Sequence, residues 1–428
     1  MWCRKRLDVS WRDLFYGLTC CCLPIGRAAA ARRVEGLWSD RDDTIACLSV
    51  RSGLDLLLEA LAWPQGDEVL VSAITIPDMP RIVRAHSLSV VPVDVDPMTA
   101  TPCIDTLAAA IGPRTRAVIV AHLFGSRVPL EPIAALCRKH RLWLIEDCAQ
   151  AYDGRYRGSP SADVSMFSFG TIKTATAGGG ALLMVRDRGV LSRMRDLLAI
   201  QPLQPRSALA RKLVKMIALK TISVRPIFGW FVTLLQASGR DYDHVLNQAV
   251  RGFSTGDFFR AIRRQPSAPL LALMNRRIVQ PALARIERRA ALGRALFAGV
   301  RDAADCPSLD RDEHAYWVFP VVVDDPPKLI TALGKLGFDA TQGESLSVVE
   351  SERAGDSEAR HARRLLERIV FLPMYPELSF AAVDQLAEAV RKVVTNNPSH
   401  SSASQPTRLT IPRHAARGLT PRSMPSPK

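Results

Sequence analysis

The sequence predicts an α/β fold built on a mainly parallel sheet with a second, smaller α/β unit behind it. Three observations lead there. Short apolar runs recur from Thr44 to Val185, with helix-like stretches between most of them. Each run has the length of a buried strand. The chain, at 428 residues, exceeds what one hydrophobic core usually covers.

Taken in order, residues 1–40 read as an N-terminal arm. Arg4, Lys5 and Arg6 precede an uncharged run, Leu14 to Gly26, that superficially resembles a signal peptide. Asp8 and Asp13 spoil that pattern, Pro24 and Gly26 break the run, and it is too short to span a bilayer. The arm is expected to pack on the body or a partner subunit, with membrane contact as the minor alternative.

Residues 41–262 read as the large domain. Its strand candidates are Thr44–Ser49, Glu68–Ser72, Ser89–Val93, Ala117–Ala121, Trp143–Glu146, Val164–Phe169 and Gly180–Val185. Leu54, Leu57, Leu58 and Leu61 mark one apolar face of the first intervening helix. From about 205 to 262 the pattern changes to a basic amphipathic insertion. Arg211, Lys212, Lys215, Lys220 and Arg225 alternate with apolar residues, and an uncharged run follows from Pro226 to Ser238. Such a segment suits a dimer contact covering a site, or an anionic membrane surface.

Residues 263–394 read as a linking helix, about Leu270 to Val300, and a small domain. HAYWVFPVVVDD in the latter alternates like a strand, and Pro327–Gly337 reads as a helix. From Thr395 the chain turns to Ser, Pro, Asn and Arg, which predicts a disordered basic tail.

The chemistry concentrates between Trp143 and Gly180. One apolar run ends in Glu146 and Asp147, with Gln150 after it; the next ends near Ser168, followed by Lys173 and the turn Gly178–Gly180. In an open α/β sheet an acid and a lysine leaving neighbouring strands converge at the edge where ligands bind. Pyridoxal 5′-phosphate (PLP) chemistry needs that pair: a lysine for the Schiff base and a carboxylate to keep the pyridine nitrogen protonated. Singly, the lysine reads as a solvated loop residue, the acid as a helix cap and the glycines as a tight turn. Together, 26 residues apart, the two groups favour the cofactor. Ser49-Val50-Arg51-Ser52-Gly53 opens the first helix, whose N-terminus suits a phosphate.

IEDCAQAYDGRYRG, SMFSFGTIK and AGGGAL resemble the core of the DegT/StrS-type sugar aminotransferases, which are fold-type I PLP enzymes. The resemblance runs, with weaker patches, from about Thr44 to Val394. It implies that Asp147 pairs with the pyridine nitrogen, Gln150 lies against the ring, Ser168 contacts the phosphate and Lys173 carries the cofactor. A dehydratase branch of the family has histidine at the lysine position, so Lys173 favours transamination. Val50 stands where the family has glycine and Ile76 where it has an aromatic residue; Arg51 and Ser52 are the phosphate candidates on this helix. The family's Asn-x-Arg pattern is degraded around Arg264. A homodimer is implied by the resemblance alone.

Composition narrows the partners. The net charge of +15 comes without a nucleic-acid motif; it suits anionic nucleotide sugars or membrane surfaces, or reflects a generally Arg-rich proteome. Nine cysteines, scattered except for Cys20, Cys21 and Cys22, form no CxxC pair or Cys/His metal spacing, so no metal is expected and a cytoplasmic location is. His122 reads as a structural histidine. The expected activity is amino transfer from an amino acid, by resemblance glutamate, to a keto group of a nucleotide-linked sugar. The alternatives are a lipid-linked or other non-sugar acceptor, elimination or decarboxylation on PLP, and a membrane-associated, non-catalytic PLP-fold protein.

Overall fold

The structure is a computed structural model that describes residues 1–238, 242, 257–279, 282–311, 313–343, 345–351 and 359–395. The disordered-tail expectation, from Thr395 on, falls almost wholly outside the described residues, as does part of the 205–262 insertion.

All seven apolar runs become strands of one sheet: β1 (Thr44–Cys47), β2 (Glu68–Ser72), β4 (Ser89–Val93), β5 (Thr115–Ala121), β6 (Trp143–Asp147), β7 (Val164–Ser168) and β8 (Ala181–Val185). Their order is β1-β8-β7-β6-β5-β2-β4. β8 runs antiparallel to both its neighbours, and the other pairs are parallel. β1 therefore points the same way as β7, and the carboxyl ends of β1, β5, β6 and β7 share one edge. Burial on both faces accounts for strands that are apolar throughout rather than alternating.

Helices α1 (Trp11–Cys22), α2 (Arg27–Trp38), α3 (Val50–Leu61), α4 (Asp78–Ala85), α5 (Ile104–Ala110), α6 (Glu131–His140) and α7 (Arg188–Ile200) precede, cross or flank this sheet. α3 is buried almost throughout, because β8 and α7 both cover it. The insertion forms α8 (Arg206–Ile222) and α9 (Arg225–Ala237). A single long linking helix does not form; two helices do, Ala268–Val279 and Leu283–Val300, with Pro281 in the sequence between them. Proline lacks the N–H that a continuous helix needs there.

A smaller two-stranded sheet pairs β9 (Phe319–Val322) with β11 (Ile369–Leu372), while β10 (Ser347–Val348) reaches back to β3 (Ile74–Thr75). The helices Pro326–Lys335 and Phe380–Thr395 close a separate apolar core around Phe319, Leu333 and Leu386. The predicted strand through HAYW is shorter than expected. Residues 314–318 instead lie against the turn after β5, where Ala315 N–H donates to Gly125 O at 2.7 Å. Gly125 has φ +103°, and a Cβ there would meet Trp317 N at 2.7 Å, so only glycine allows this approach.

The arm packs on the body. α1 lies on α8 and on the helix Ala268–Val279. Ahead of it, Arg4 grips Asp339 through Nε at 2.9 Å and Nη2 at 2.8 Å. The Asp8 carboxylate accepts from Ala175 N–H at 2.7 Å, two residues past Lys173.

Candidate active site

Side-chain alternation along β6 separates the two acids. Glu146 and Asp147 are neighbours on one strand, so their side chains leave on opposite faces. Asp147 is the last residue of β6, beside Ala121 of β5 and Met166 of β7. Its Oδ1 accepts from Ala149 N–H at 2.9 Å, which fixes the carboxylate at the start of the next turn. Burial pushes its pKa up, opposed by that hydrogen bond and by the charges of Lys173, His122 and Arg51.

Lys173 follows β7 in a turn closed by its own N–H to Gly170 O at 3.0 Å. Its Nζ makes no hydrogen bond or ion pair among the described residues and stands 4.1 Å from the centre of the Trp317 indole. Burial lowers its pKa to about 8; Asp147 opposes that shift and Arg51 adds to it. An unpaired, desolvated amine of this kind is a nucleophile at neutral pH.

Ser168, the last residue of β7, accepts from Gly170 N–H at 3.3 Å. Gln150 accepts from Phe124 N–H at 2.8 Å, which holds its amide at the carboxyl end of β5. α3 begins after Ser49, whose Oγ accepts from Ser52 N–H at 3.1 Å and lies 2.9 Å from Ser52 Oγ. Val50 is not among the left-handed residues, so the helix starts here without glycine. Arg51 pairs with Asp78, Nε to Oδ2 at 2.5 Å. The structure thus places Asp147, Lys173 and Arg51 within electrostatic reach of one another, with Gln150, Ser168 and Ser52 on adjoining turns. Arg264 is turned to the Leu203 carbonyl, at 3.4 Å, and its neighbour Arg263 pairs with Asp55.

Three residues at this edge carried no site signal in the sequence, and a fourth, Lys212, lies in the insertion read as covering a site. Trp317 lies over Lys173 and donates from Nε1 to Ile172 O at 2.9 Å. Arg289 joins Thr174 Oγ1, at 3.1 Å, to Ala315 O, at 2.8 Å. Lys5 donates to Trp317 O at 3.1 Å. Lys212 of α8 has its pKa lowered to about 8 by burial and by Arg51, so the insertion reaches the start of α3.

On the other face of β6, Glu146 is fully buried. It accepts from His122 Nε2 at 2.7 Å, Ser165 Oγ at 2.6 Å, Ser159 N–H at 2.9 Å and Tyr156 Oη. Val128 N–H donates to His122 Nδ1 at 2.9 Å, so the proton of the neutral ring sits on Nε2 and points at Glu146. Burial alone would raise the Glu146 pKa; these donors hold it at about 2. Cys148 lies close by, its thiol pushed well up by burial. With its oxygens occupied by four donors, Glu146 is the centre of a structural brace under the site.

The donor set fits PLP. A half-buried amine with no partner among the described residues and a half-buried acid face one edge, and a helix N-terminus and a strand-end serine stand beside them.

Residues 38–208 match the model of the DegT/DnrJ/EryC1/StrS aminotransferase family. The chain is similar to GDP-perosamine synthase of Caulobacter vibrioides, 36% identical over 154 residues, 35% of this chain and 42% of that protein. It is also similar to the L-glutamine:2-deoxy-scyllo-inosose aminotransferase of Micromonospora echinospora, 34% identical over 185 residues, 41% of this chain and 43% of that protein. The matches span less than half the length of these relatives. Among solved structures, the aminotransferase TlmJ from Streptoalloteichus hindustanus aligns over 90% of this chain and 97% of its own, with TM-score 0.67 and 21% identity. The Helicobacter pylori aminotransferase PseC aligns over 92% and 99%, with TM-score 0.67 and 14% identity. These likenesses give the fold alone, an α/β architecture with a seven-stranded, mainly parallel sheet. Through its residues 38–208, about two-fifths of its length, the chain is similar to the DegT/DnrJ/EryC1/StrS aminotransferase family.

Proposed function

We propose that this chain is a PLP-dependent aminotransferase that takes the amino group of an amino acid and places it on a keto group of a nucleotide-linked sugar. The observation that carries the reading is the half-buried Lys173 amine, unpaired among the described residues, on the same sheet edge as the half-buried Asp147 carboxylate. Lys173 would hold the cofactor, Asp147 its ring nitrogen and Gln150 its ring face. Ser168, Ser52 and Arg51 would hold its phosphate. When bound, PLP supplies an electron sink for the carbon that gains or loses the amino group. Lys173 Nζ, once displaced by the donor, takes the proton from the donor's Cα and later returns one to the acceptor carbon. Asp147 stays ionised opposite a cationic ring nitrogen, because burial makes either charge alone costly. The Trp317 indole screens the amine from water.

The test is the absorbance of PLP-loaded protein before and after an amino donor. Glutamate is the expected donor; L-glutamine is the comparison, since one curated relative is named for it. Conversion of the cofactor band to the amine form, reversed by a nucleotide keto-sugar, is expected. A protein that takes up no cofactor would sink the reading.

A homodimer in the cytoplasm is part of the proposal, on the resemblance. So is peripheral attachment to an anionic membrane, for which α9 provides a specific observation. Its inner face buries Phe228 and Val232, yet its outer face exposes Trp230 at 81% and Leu234 at 69%. No acid occurs between Asp196 and Asp241, while Arg206, Arg211, Lys212, Lys215, Lys220, Arg225 and Arg240 do. A two-fold contact through this face would set cations against cations, whereas anionic headgroups complement them. Among the described residues no single helix is long and apolar enough to cross a membrane. Co-sedimentation with phosphatidylglycerol vesicles is expected, lost in Trp230→Ser/Leu234→Ser and weakened by salt. If that double variant still sediments but becomes monomeric, the face is a subunit contact.

A further inference from the structure

The N-terminal arm brings a second lysine to the candidate site. Lys5 Nζ lies 3.6 Å from the centre of the Trp317 indole, the ring that also carries Lys173 Nζ at 4.1 Å. The two amines can therefore be no farther apart than these distances together. Lys5 is held there from both sides. Arg4 is clamped to Asp339, and Asp8 is bonded to Ala175 in the turn after Lys173.

The charges around Lys5 do not balance. Lys173 and Arg289 add positive charge, and Asp8 is the acid that opposes them. The Asp8 carboxylate is already engaged by Ala175 N–H at 2.7 Å, by Arg285 at 3.6 Å and by Arg277 at 3.8 Å. Lys5 spends one donor on the Trp317 carbonyl at 3.1 Å and has no carboxylate partner among the described residues. A half-buried ammonium without an anion is costly, and an arriving carboxylate removes that cost.

We propose that Lys5 is the subsite for the α-carboxylate of the amino donor, supplied by this chain's own N-terminal arm. The inference rests on the aminotransferase reading. The carboxylate of an α-amino acid lies one carbon from its nitrogen, which must reach the position of Lys173 Nζ. A charge-assisted hydrogen bond from that carboxylate needs a second amine about 6 Å from the first, a separation that the shared indole allows. Burial, with Lys173 and Arg289, pulls the Lys5 pKa well down. Binding of the carboxylate therefore draws a proton onto Lys5 from solvent.

The experiment uses PLP-loaded protein and two probes: glutamate, and glutarate, which keeps both carboxylates and lacks the amine. Lys5→Met retains the stem over the indole and removes the charge; Lys5→Arg retains the charge. In Lys5→Met, glutarate affinity by calorimetry and half-saturation by glutamate are both expected to weaken about tenfold or more. The rate at saturating glutamate should stay within about threefold, and Lys5→Arg should restore most of the loss. Titrations in buffers of different ionisation heat are expected to show proton uptake with glutarate in the parent protein and none in Lys5→Met. If Lys5→Met does not fold, Lys5→Gln is read by the same criteria. Unchanged glutarate affinity in a loaded Lys5→Met overturns the subsite alone. Failure of the parent protein to load PLP overturns the aminotransferase reading and the subsite with it.

Discussion

Lys173→Ala is expected to lower amino transfer on the order of 10⁴-fold, to abolish the covalent cofactor absorbance, and to leave the protein folded. Nζ makes no hydrogen bond among the described residues and sits over the Trp317 indole, so its removal orphans no buried partner. The thermal midpoint should shift by about 3 °C or less. The lowered pKa adds a signature. With the amine at about 8, roughly one lysine in ten is unprotonated at pH 7, against fewer than about one in a thousand for a free side chain. Cofactor uptake by the PLP-free protein should therefore accelerate as pH rises through 8 and level off above it. Stopped-flow absorbance measures this directly. Activity within tenfold of the parent in Lys173→Ala, or a pH-independent uptake rate, would remove Lys173 from its proposed role.

Glu146→Ala should do the opposite: damage the fold. It would strand His122, Tyr156 and Ser165 in a buried site, at a cost of about 3–5 kcal/mol. Stability should also depend on pH through this carboxylate. Its pKa is depressed on folding, from 4.5 to about 2. Its contribution is thus fully present above about 4.5 and is lost as pH falls through about 2. The difference of pKa corresponds to roughly 3 kcal/mol. Thermal midpoints measured from pH 6 down to pH 2.5 should fall steeply for the parent and more gently for Glu146→Gln, which starts lower. Parallel curves for the two proteins would mean that the brace contributes no linked stability.

These two neighbours show what the sequence could and could not convey. Both acids end an apolar run, and strand alternation guarantees that they face opposite ways. Which one faces the cleft depends on the partners each side chain meets. His122 lies 24 residues before Glu146 and Ser165 lies 19 after it, so no local pattern announces the brace. The seven strands were legible because burial on both faces makes each a continuous apolar run. The Ser49 cap and the turn around Lys173 were legible because their chemistry is local. Trp317, Arg289 and Lys5 were not. Each reaches Lys173 or its adjoining turn across more than a hundred residues of chain, and a lysine near an N-terminus looks like any solvated cation. HAYW shows the reverse failure, since its alternation is genuine but its backbone bonds to the turn at Gly125 rather than continuing β9. The linking helix, expected as one piece from its continuous apolar period, is two helices, with Pro281 in the sequence between them.

The arm's anchoring also sets an order of assembly during synthesis. Residues 4 to 8 leave the ribosome well before Ala175, Trp317 and Asp339, the groups they dock on. The sheet can form while the arm waits in solvent, but the wall over Lys173 closes only when residue 339 has emerged. A nascent chain stalled between about 200 and 320 should therefore expose its first residues to proteases while the sheet beneath already resists them.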